Sequence, residues 1–482
     1  MQVFFCKVPS YWQAGLLQAG QPPATYNALY PQGLLYRIYL IGEAMLKVLK
    51  FGGTSMADAG QYRKVANIVR SDASRRVVVV SAAGKRFPED NKITDLLYLC
   101  HAHLRYGVSY KPIFQTVRER YIAIRDDLGL QFPIEQELDA IEERMQGEIS
   151  SEELVSRGEY LSARLMAEYL GFPFVDAVDW LYFHYDSTID QEKSYAALQR
   201  IVGDGCAVIP GFYGLMPDGK IRTLTRGGSD ITGALAAAAL NAEVYENWTD
   251  VSGILMADPH LVENPRPIQR ATYSELRQLS YSGAQVLHDM TVFPVREKNI
   301  PLNIRNTNEP EHPGTLICEE FEDDSTQRDR FVTGVAGKCD YAAVTIHKKG
   351  MAGSVGNLRN MAEIFENNTV PICYTPTGID CITMVCPAEK LTPHLYSITE
   401  DLRREMRPDA IKVTEGLAII AVVGRKMAYR TGTAAKIFLA LGEANINIRM
   451  ISQGPEELNI LVGVDKKDYA DAVRVLYNAF VK

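Results

Sequence analysis

The hydrophobic residues of this chain form short, nearly continuous runs that alternate with longer amphipathic stretches. Apolar or β-prone runs occupy residues 46–51, 76–82, 171–177, 206–212 and 242–248. Runs of this length are typical of parallel strands covered on both faces. Between them, helices are predicted at 56–70, 93–104, 113–147, 152–170 and 229–241. The alternation predicts an α/β/α sandwich with a mainly parallel sheet over residues 45–320.

After about residue 325 the pattern changes, and the polar stretch 319–330 is typical of a linker. Two similar segments follow, at 330–405 and 406–482, and each is predicted to run strand, helix, strand, strand. The second segment ends in a further helix. We expect two small ferredoxin-like units of the βαββαβ type, whose strands are free to interleave.

Residues 1–44 show neither the helical nor the strand period. They also lack the basic start, continuous apolar segment and cleavage site of a signal peptide. We expect a poorly ordered extension, or an upstream start codon with Met45 as the natural initiator.

Charge and composition exclude several classes of protein. The chain has 51 Lys and Arg against 59 Asp and Glu, a formal net charge of −8, which argues against nucleic-acid or anionic-membrane partners. Its eight cysteines include no CxxC pair, and no apolar run approaches the roughly 20 residues that span a bilayer. We therefore expect a cytoplasmic protein with small-molecule partners.

A glycine turn, "KFGGTS", joins the first predicted strand to the first predicted helix. Successive backbone N–H groups at Gly52 and Gly53, before a helix N-terminus, can bind an anion, and Lys50 adds a positive charge. The spacing matches neither the P-loop nor the GxGxxG fingerprint. The alternative is an ordinary turn with Thr54 or Ser55 as the helix N-cap.

Two further segments carry candidate chemistry. In "TRGGSD", Arg226 offers a planar fork for a carboxylate or phosphate, while Ser229 and Asp230 start a helix, where either could simply be its cap. In "ENWTDVSGILMADP", Thr249 and Asp250 end a strand, at the sheet edge where open α/β sheets bind ligands.

Together, in this order, these motifs resemble the aspartate kinases of the amino-acid kinase family. The resemblance extends from Met45 to Lys482 and includes "VVVVSAAGK", "SRGEYLSARL", "SYSGAQVLHDMTVFP" and "NIPLNIRNTNEPEHPGTLI". The repeated C-terminal segments resemble tandem ACT domains, which bind amino acids. The resemblance implies transfer of the ATP γ-phosphoryl group to the side-chain carboxylate of L-aspartate, at the entry to lysine, threonine and methionine biosynthesis. Another carboxylate kinase of this fold, or a catalytically inactive amino-acid sensor, is the alternative.

The resemblance also implies roles for individual residues. Lys50 and Asp230 match catalytic positions, and magnesium is expected to be held by ATP phosphates and water, without dedicated protein ligands. The positions that match the ATP site are Lys50, Gly52, Gly53, Ser55, Thr249 and Asp250. Those that match the aspartate pocket are Ser81, Thr94, Glu159, Phe212, Arg226 and Ser229.

Some positions depart from the commoner family pattern. Leu255 and His260 replace a tyrosine and an arginine on the nucleotide side, and Gln285 and Asp289 also differ. The loop 84–94 is longer and more basic than usual. Lys85, Arg86 or Lys92 is therefore a hypothetical replacement for the missing positive charge, with a solvated loop as the alternative.

The regulatory half resembles an effector-binding ACT pair. Met351, Ser354 and Gly356 match the turn where such domains hold an effector. Ile372 stands where lysine-sensitive relatives often have aspartate. Lysine is the first candidate effector and threonine the second, and a homodimer or larger assembly through these domains is expected. The alternative is a dimerisation platform that binds no effector.

Overall fold

We describe the fold from a computed structural model, in which residues 45–225, 227–284, 289–321, 332–425, 427, 430–453 and 458–481 are described. The predicted N-terminal extension, residues 1–44, lies outside the described residues. No helix within the described ranges is long and apolar enough to cross a membrane.

The larger unit combines nine strands and nine helices within its described residues. The strands are β1 (Lys47–Phe51), β2 (Arg75–Val80), β3 (Ala207–Pro210), β4 (Tyr213–Leu215), β5 (Ile221–Thr223), β6 (Val244–Thr249), β7 (Arg270–Thr272), β8 (Leu302–Asn306) and β9 (Thr315–Cys318). The helices are α1 (Ala59–Arg70), α2 (Ile93–Arg105), α3 (Lys111–Leu128), α4 (Ile134–Gln146), α5 (Ser151–Leu170), α6 (Gln191–Val202), α7 (Gly228–Ala239), α8 (Tyr273–Tyr281) and α9 (Asp289–Glu297).

Seven of these strands form one sheet in the order β3-β2-β1-β6-β8-β9-β7, and all its pairs are parallel except β8 with β9. Successive residues of a buried strand face opposite sides. Val77 and Val79 accordingly join the core shared with α6 and α7, whereas Val78 and Val80 join the core shared with α1 to α5. The predicted α/β/α sandwich with a mainly parallel sheet is confirmed.

Two of the predicted elements are wrong in detail. The run 171–177 forms only an isolated bridge, Phe174 with Val208, rather than a strand. The predicted helix 113–147 is two helices, because Gly129 adopts φ +68° and ends α3. That left-handed conformation favours glycine and reverses the chain before α4.

The smaller unit is built on one sheet rather than two. Its elements are β10 (Val332–His347), α10 (Asn357–Asn367), β11 (Cys381–Pro387), α11 (Ala388–Leu391), α12 (Leu395–Asp401), β12 (Ala410–Gly424), α13 (Thr433–Glu443), β13 (Met450–Ser452), β14 (Asn459–Asp465) and α14 (Tyr469–Val481). The sheet order is β11-β10-β12-β14-β13, all antiparallel. The long pairing of β10 with β12 joins the two copies of the repeat.

The first copy departs from the predicted order. Its second predicted strand, at 370–380, is reduced to two isolated bridges to β11. The copy also closes with helical turns across Ala388–Met406, which the sequence analysis did not predict.

The two units share a buried interface. The backbone N–H of Val335 donates to the carbonyl of Met256 at 2.7 Å. Ala257 and Val262, from the larger unit, belong to the hydrophobic core that contains α13 and α14. The segment that follows β6 is therefore packed into the smaller unit.

A charged contact crosses the same interface. Glu275, on α8, is fully buried, and its Oε1 lies 3.2 Å from Nε of Arg425 and accepts a hydrogen bond from the Thr333 hydroxyl. Its Oε2 accepts from the backbone N–H of Thr272 at 2.6 Å, which completes the capping box of α8. One carboxylate thus caps a helix of one unit and binds two residues of the other.

Glu275→Gln should lower the free energy of unfolding by about 3 kcal/mol, because the fully buried carboxylate loses the charge with which it binds Arg425, Thr333 and the N-terminus of α8. Urea unfolding followed by tryptophan fluorescence measures the change. The control is Glu311→Gln, at an exposed carboxylate. Equal stability of the two variants would show that the Glu275 contact does not hold the units together.

Candidate functional site

The glycine turn after β1 lies against the turn after β2. A Cβ atom on Gly84 would lie 2.5 Å from the carbonyl carbon of Gly53, and one on Gly53 would lie 3.0 Å from the oxygen of Ala82. The backbone N–H of Gly84 donates to the Gly53 carbonyl at 2.8 Å. Glycine is required at both positions because the two backbones are in contact.

The cap alternative for this turn is wrong. Helix α1 begins at Ala59, and its N-cap is Asp58, whose side chain accepts from the backbone N–H of Gln61 at 2.9 Å. The Ser55 hydroxyl is instead buried and hydrogen-bonded to that of Thr307 at 2.8 Å. Thr54 caps no helix either. The residues Gly53–Met56 instead form a short 3-10 helix whose N-cap is Gly52, and α1 begins only after them.

Lys50 and Asp230 form an ion pair beside the glycine turn. Lys50 is 7% exposed on β1, and its Nζ lies 2.6 Å from Oδ1 of Asp230, in the first turn of α7. The N-cap of α7 is Gly227, which has φ +82°, so neither Ser229 nor Asp230 caps this helix. A buried lysine requires such a counter-charge. The predicted catalytic pair is thus brought together from two motifs 180 residues apart in the sequence.

Asn247 is a third member of this group that the sequence analysis missed. Its Nδ2 donates to Oδ1 of Asp230 at 2.9 Å, and the residue is 2% exposed. The available signal was a pair of polar residues, Glu246 and Asn247, within the run that forms β6.

Glu159 is a buried carboxylate with an open oxygen. It lies on α5, is 4% exposed, and accepts a hydrogen bond from the backbone N–H of Ala82. Its Oε2 has no hydrogen-bond partner among the described residues. Burial raises the pKa of Glu159 to about 8, against an ordinary value of 4.5. A carboxylate of this kind is suited to an ammonium group, which would replace the lost hydration.

Close packing brings Glu159 next to the ends of β1 and β2. A Cβ on Gly158 would lie 2.8 Å from the Cβ of Ala82 and 3.5 Å from a methyl of Ile93, so α5 packs closely on both. Ser81, directly before Ala82, donates its backbone N–H to the carbonyl of Phe51 at 3.1 Å. Thr94 follows Ile93 in the first turn of α2. Ser81, Thr94 and Glu159 are thus gathered at this edge of the sheet.

Phe212 adopts a strained backbone conformation at the next edge position. Its φ is +80°, and it is held by a hydrogen bond from its N–H to Thr232 Oγ1 at 3.0 Å and by one from Leu224 N–H to its carbonyl at 2.7 Å. Such strain costs on the order of 1–3 kcal/mol and persists where the surroundings enforce it. A Cβ on Gly211 would lie 2.6 Å from the Cβ of Ser229. Phe212 and Ser229 therefore lie side by side and form one wall of the candidate site, called the Phe212 wall. Arg226 lies outside the described residues.

Thr249 and Asp250 lie on the other side of Lys50, at the end of β6. The Thr249 hydroxyl donates to Asp250 Oδ1 at 3.2 Å, and the Thr249 carbonyl accepts from the N–H of Thr307 at 2.9 Å. In the sheet, β1 lies between β2 and β6. Lys50 therefore has Glu159 and the end of β2 on one side, called the Glu159 side, and Thr249 at the end of β6 on the other, called the Thr249 side. This arrangement allows two ligands to meet at the lysine.

Of the positions that depart from the family pattern, the structure describes the side chains of Leu255 and His260. Leu255 forms a bridge with Pro267, and His260 is exposed. Gln285 lies outside the described residues, and the side chain of Asp289 is not described.

Two of the three basic side chains in loop 84–94 bind partners within the loop. Arg86 binds Asp90, whose pKa is held well below its usual range by Arg86 and Arg120, and Lys85 donates to the carbonyl of Pro88 at 2.9 Å. Lys92 is exposed. In the described part of the chain, no three His, Cys, Asp or Glu side chains are grouped so as to hold a metal ion.

The predicted effector turn precedes α10. Gly356 has φ +85° and begins the helix, while the exposed Ser354 donates its hydroxyl to the carbonyl of Met351 at 3.1 Å. The Met351 side chain is 4% exposed within a hydrophobic core. Only its main chain can reach a ligand. Ile372 lines another cleft, of about 860 Å³, together with Glu366.

Comparison with known proteins gives a consistent result. The amino acid kinase family matches residues 45–306, and an ACT domain matches residues 420–480. The chain is similar to aspartokinase 3 of Bacillus subtilis, with 35% identity over 90% of this chain and 98% of that protein.

Among solved structures, the aspartate kinase of Clostridium acetobutylicum is 42% identical with a TM-score of 0.81, covering 90% of this chain and 100% of that one. Aspartokinase III of E. coli, in complex with aspartate and ADP (R-state), is 27% identical with a TM-score of 0.70, over 91% of this chain and all of that one. The complex of the same enzyme with lysine and aspartate (T-state) is 28% identical with a TM-score of 0.67, over 91% of this chain and all of that one.

Glu159→Gln should make the free protein more stable near pH 8. The folded pKa of Glu159, about 8, lies above its ordinary value of 4.5, so the folded protein binds more protons between these values and its stability falls as the pH rises through this window. At about 1.4 kcal/mol per pH unit, the variant should gain about 2 kcal/mol or more at pH 8.

The gain should vanish below about pH 4.5, where both states of the wild type are protonated. Urea unfolding at pH 5 and pH 8 measures it. Glu168→Gln, at an exposed position on the same helix, is the control. A variant less stable than wild type at pH 8 would show that Glu159 has a structural partner.

Proposed function

This chain belongs to the aspartokinases of the amino acid kinase family, and from that premise we propose how its site transfers the γ-phosphoryl group of ATP to the side-chain carboxylate of L-aspartate. The observation that carries the proposal is the buried Lys50–Asp230 pair, which lies between an open carboxylate, Glu159, and a glycine turn. A site of this kind supplies position and charge rather than a nucleophile.

The reaction needs little covalent help from the protein. A substrate carboxylate with a pKa of about 3.9 is already ionised at neutral pH, so no general base is required. Phosphoryl transfer depends mainly on alignment and on compensation of the charge spread over the phosphoryl oxygens. Lys50 is placed to supply that charge, and Asp230 fixes the position of its ammonium group.

The nucleotide is proposed to bind on the Thr249 side. The backbone N–H of Gly52 donates to the carbonyl of Trp248 at 3.0 Å, so the donor proposed for a phosphate is the N–H of Gly53. Neither glycine carries a side chain that would exclude a phosphate. Thr249 and Asp250 end β6 beside them. The Ser55 hydroxyl is engaged with Thr307, so Ser55 contributes through its main chain. Magnesium would be held by ATP phosphates and water and would compensate phosphate charge, and Asp230 is the carboxylate proposed to orient the magnesium-bound nucleotide.

Aspartate is proposed to bind on the Glu159 side. The open Oε2 of Glu159 accepts from the α-ammonium group, and the guanidinium of Arg226 binds the α-carboxylate in a bidentate manner. Ser81, Thr94, Phe212 and Ser229 complete the pocket. Because Glu159 takes up a proton in the free protein near neutral pH, binding of the ammonium group releases that proton.

Regulation through the C-terminal unit is proposed from the fold and the related enzymes. We assign residues 45–320 to the catalytic unit and the segments 330–405 and 406–482 to two ACT domains. Lysine is the first candidate effector, because a related enzyme is known in complex with lysine, and threonine is the second. The Glu275–Arg425 contact is the proposed route to the catalytic unit, and a dimer through the ACT domains is expected.

Lys50→Met should reduce aspartate-dependent turnover by at least about a thousandfold while the protein stays folded, because the charge that acts on the transferring group is lost. A hydroxamate assay with ATP, magnesium and a panel of aspartate, glutamate and N-acetylglutamate measures it. Lys47→Met is the matched control, since Lys47 is buried on the same strand but binds Asp72. That variant should retain turnover.

Two results of the same assay would reject the proposal. Activity of the wild type on glutamate or N-acetylglutamate, but not on aspartate, would identify another carboxylate kinase. No activity on any member of the panel would favour an amino-acid sensor.

Ser354→Ala should reduce inhibition by lysine about tenfold while uninhibited turnover stays unchanged, because effector and substrate sites are separate but coupled. Inhibition curves with lysine and threonine measure the change. Ser397→Ala, in the closing helix of the same ACT segment, is the control. Should neither amino acid inhibit the wild type, the ACT unit is only a dimerisation platform.

A further inference from the structure

We propose that Asn247 is a positioning residue for phosphoryl transfer, which it serves by holding the carboxylate of Asp230 in the orientation that Lys50 requires. The inference rests on the proposed function of the Lys50–Asp230 pair and goes beyond it, because it assigns a third, neutral member to the pair. Asn247 itself contacts no substrate in this assignment and acts through Asp230.

The placement of Asn247 follows from the register of the sheet. Strands β1 and β6 are parallel, and Lys50 is paired with Asn247. Side chains at paired positions point to the same face of a sheet. Both side chains therefore reach α7, where Lys50 Nζ lies 2.6 Å and Asn247 Nδ2 lies 2.9 Å from the same atom, Oδ1 of Asp230.

The side chains of the two residues that flank Asn247 point to the opposite face of the sheet and make buried contacts there. Glu246 binds Arg75 at 3.0 Å, and Trp248 stacks on Phe51 with ring centroids 5.9 Å apart. These buried contacts fix the register of β6. Asn247 cannot shift along the strand without breaking them.

A second contact from the same face of β6 holds the main chain of Asp230. The Tyr245 hydroxyl donates to the Asp230 carbonyl at 3.0 Å. A Cβ on Gly233 would lie 2.5 Å from that hydroxyl, so glycine at this position lets Tyr245 reach α7. Tyr245 thus fixes the backbone of Asp230 and Asn247 fixes its carboxylate.

An amide is chemically suited to this role. It donates one hydrogen bond to Oδ1 without adding charge, so the Lys50–Asp230 pair stays electrically balanced in a buried place. With two donors on Oδ1, rotation of the carboxylate is restrained. A donor with a positive charge would compete with Lys50 for Asp230.

The test compares Asn247→Leu with Tyr245→Phe. Asn247→Leu removes the contact to the carboxylate and should lower kcat on the order of 10- to 100-fold, with the KM values for aspartate and ATP changed less than about threefold. Tyr245→Phe removes only the main-chain contact. It should lower stability and should lower kcat clearly less than Asn247→Leu does, because the carboxylate of Asp230 keeps its amide donor. Equal losses of kcat in the two variants, or none in Asn247→Leu, would overturn the assignment.

The pH dependence of kcat in Asn247→Asp distinguishes a positioning role from a merely structural one. The titratable groups that face this position in the described structure are Lys50 on β1, Asp230 on α7 and Tyr245 on β6. The introduced carboxyl group can donate to Asp230 only when it is protonated, and the neighbouring carboxylate raises its pKa. The ratio of its kcat to that of the wild type should therefore rise as the pH falls from 8.5 to 6. A constant ratio would contradict the proposal.

The orientation of Asp230 is also measured without turnover, in a crystal structure of Asn247→Leu. A carboxylate turned away from Lys50 supports the proposal, and an unchanged carboxylate overturns it. Turnover of aspartate by the wild type in the same assays reports the proposed function separately, so the two failures are distinguishable.

Discussion

The site depends on one buried ion pair, between Lys50 at the end of β1 and Asp230 in the first turn of α7. A lysine that is 7% exposed is unfavourable without a counter-charge, and Asp230 supplies it. Because the two residues belong to different elements, the pair also fixes α7 against the sheet. The glycine turn, the Phe212 wall and the end of β6 all take their positions around this contact.

Close backbone contacts make the pair accessible to ligands. Gly53 against Gly84, and Gly211 against Ser229, bring the strand ends and helix starts nearer than side chains would allow. The resulting edge has backbone N–H groups on one side and a buried carboxylate, Glu159, on the other. The raised pKa of Glu159 shows that the free protein bears an electrostatic cost there, which a bound ammonium group would offset.

Local patterns predicted much of the fold and part of the site. The apolar runs predicted β1, β2, β3 and β6, and the glycine motifs led to Lys50 and Asp230, because these features depend on neighbouring residues. The prediction of a strand at 171–177 was wrong, because apolar residues can be buried without pairing as a strand. Asp58 as the cap of α1 was missed although its contact with Gln61 is local, because Thr54 and Ser55 were the candidate caps of the helix. Asn247 as a partner of Asp230 was missed because that contact depends on register and on residues distant in sequence. The single regulatory sheet depends on the β10–β12 pairing in the same way.

The central claim is that Glu159 and Arg226 hold the α-groups of aspartate so that its side-chain carboxylate faces Lys50. The identity of the phosphorylated carboxylate tests this claim most directly. The acyl phosphate formed by the enzyme is trapped by borohydride reduction, and the resulting alcohol is identified by mass spectrometry against standards. Phosphorylation of the side chain predicts homoserine as the product. Recovery of 3-amino-4-hydroxybutanoate, the product of reaction at the α-carboxylate, would contradict the account.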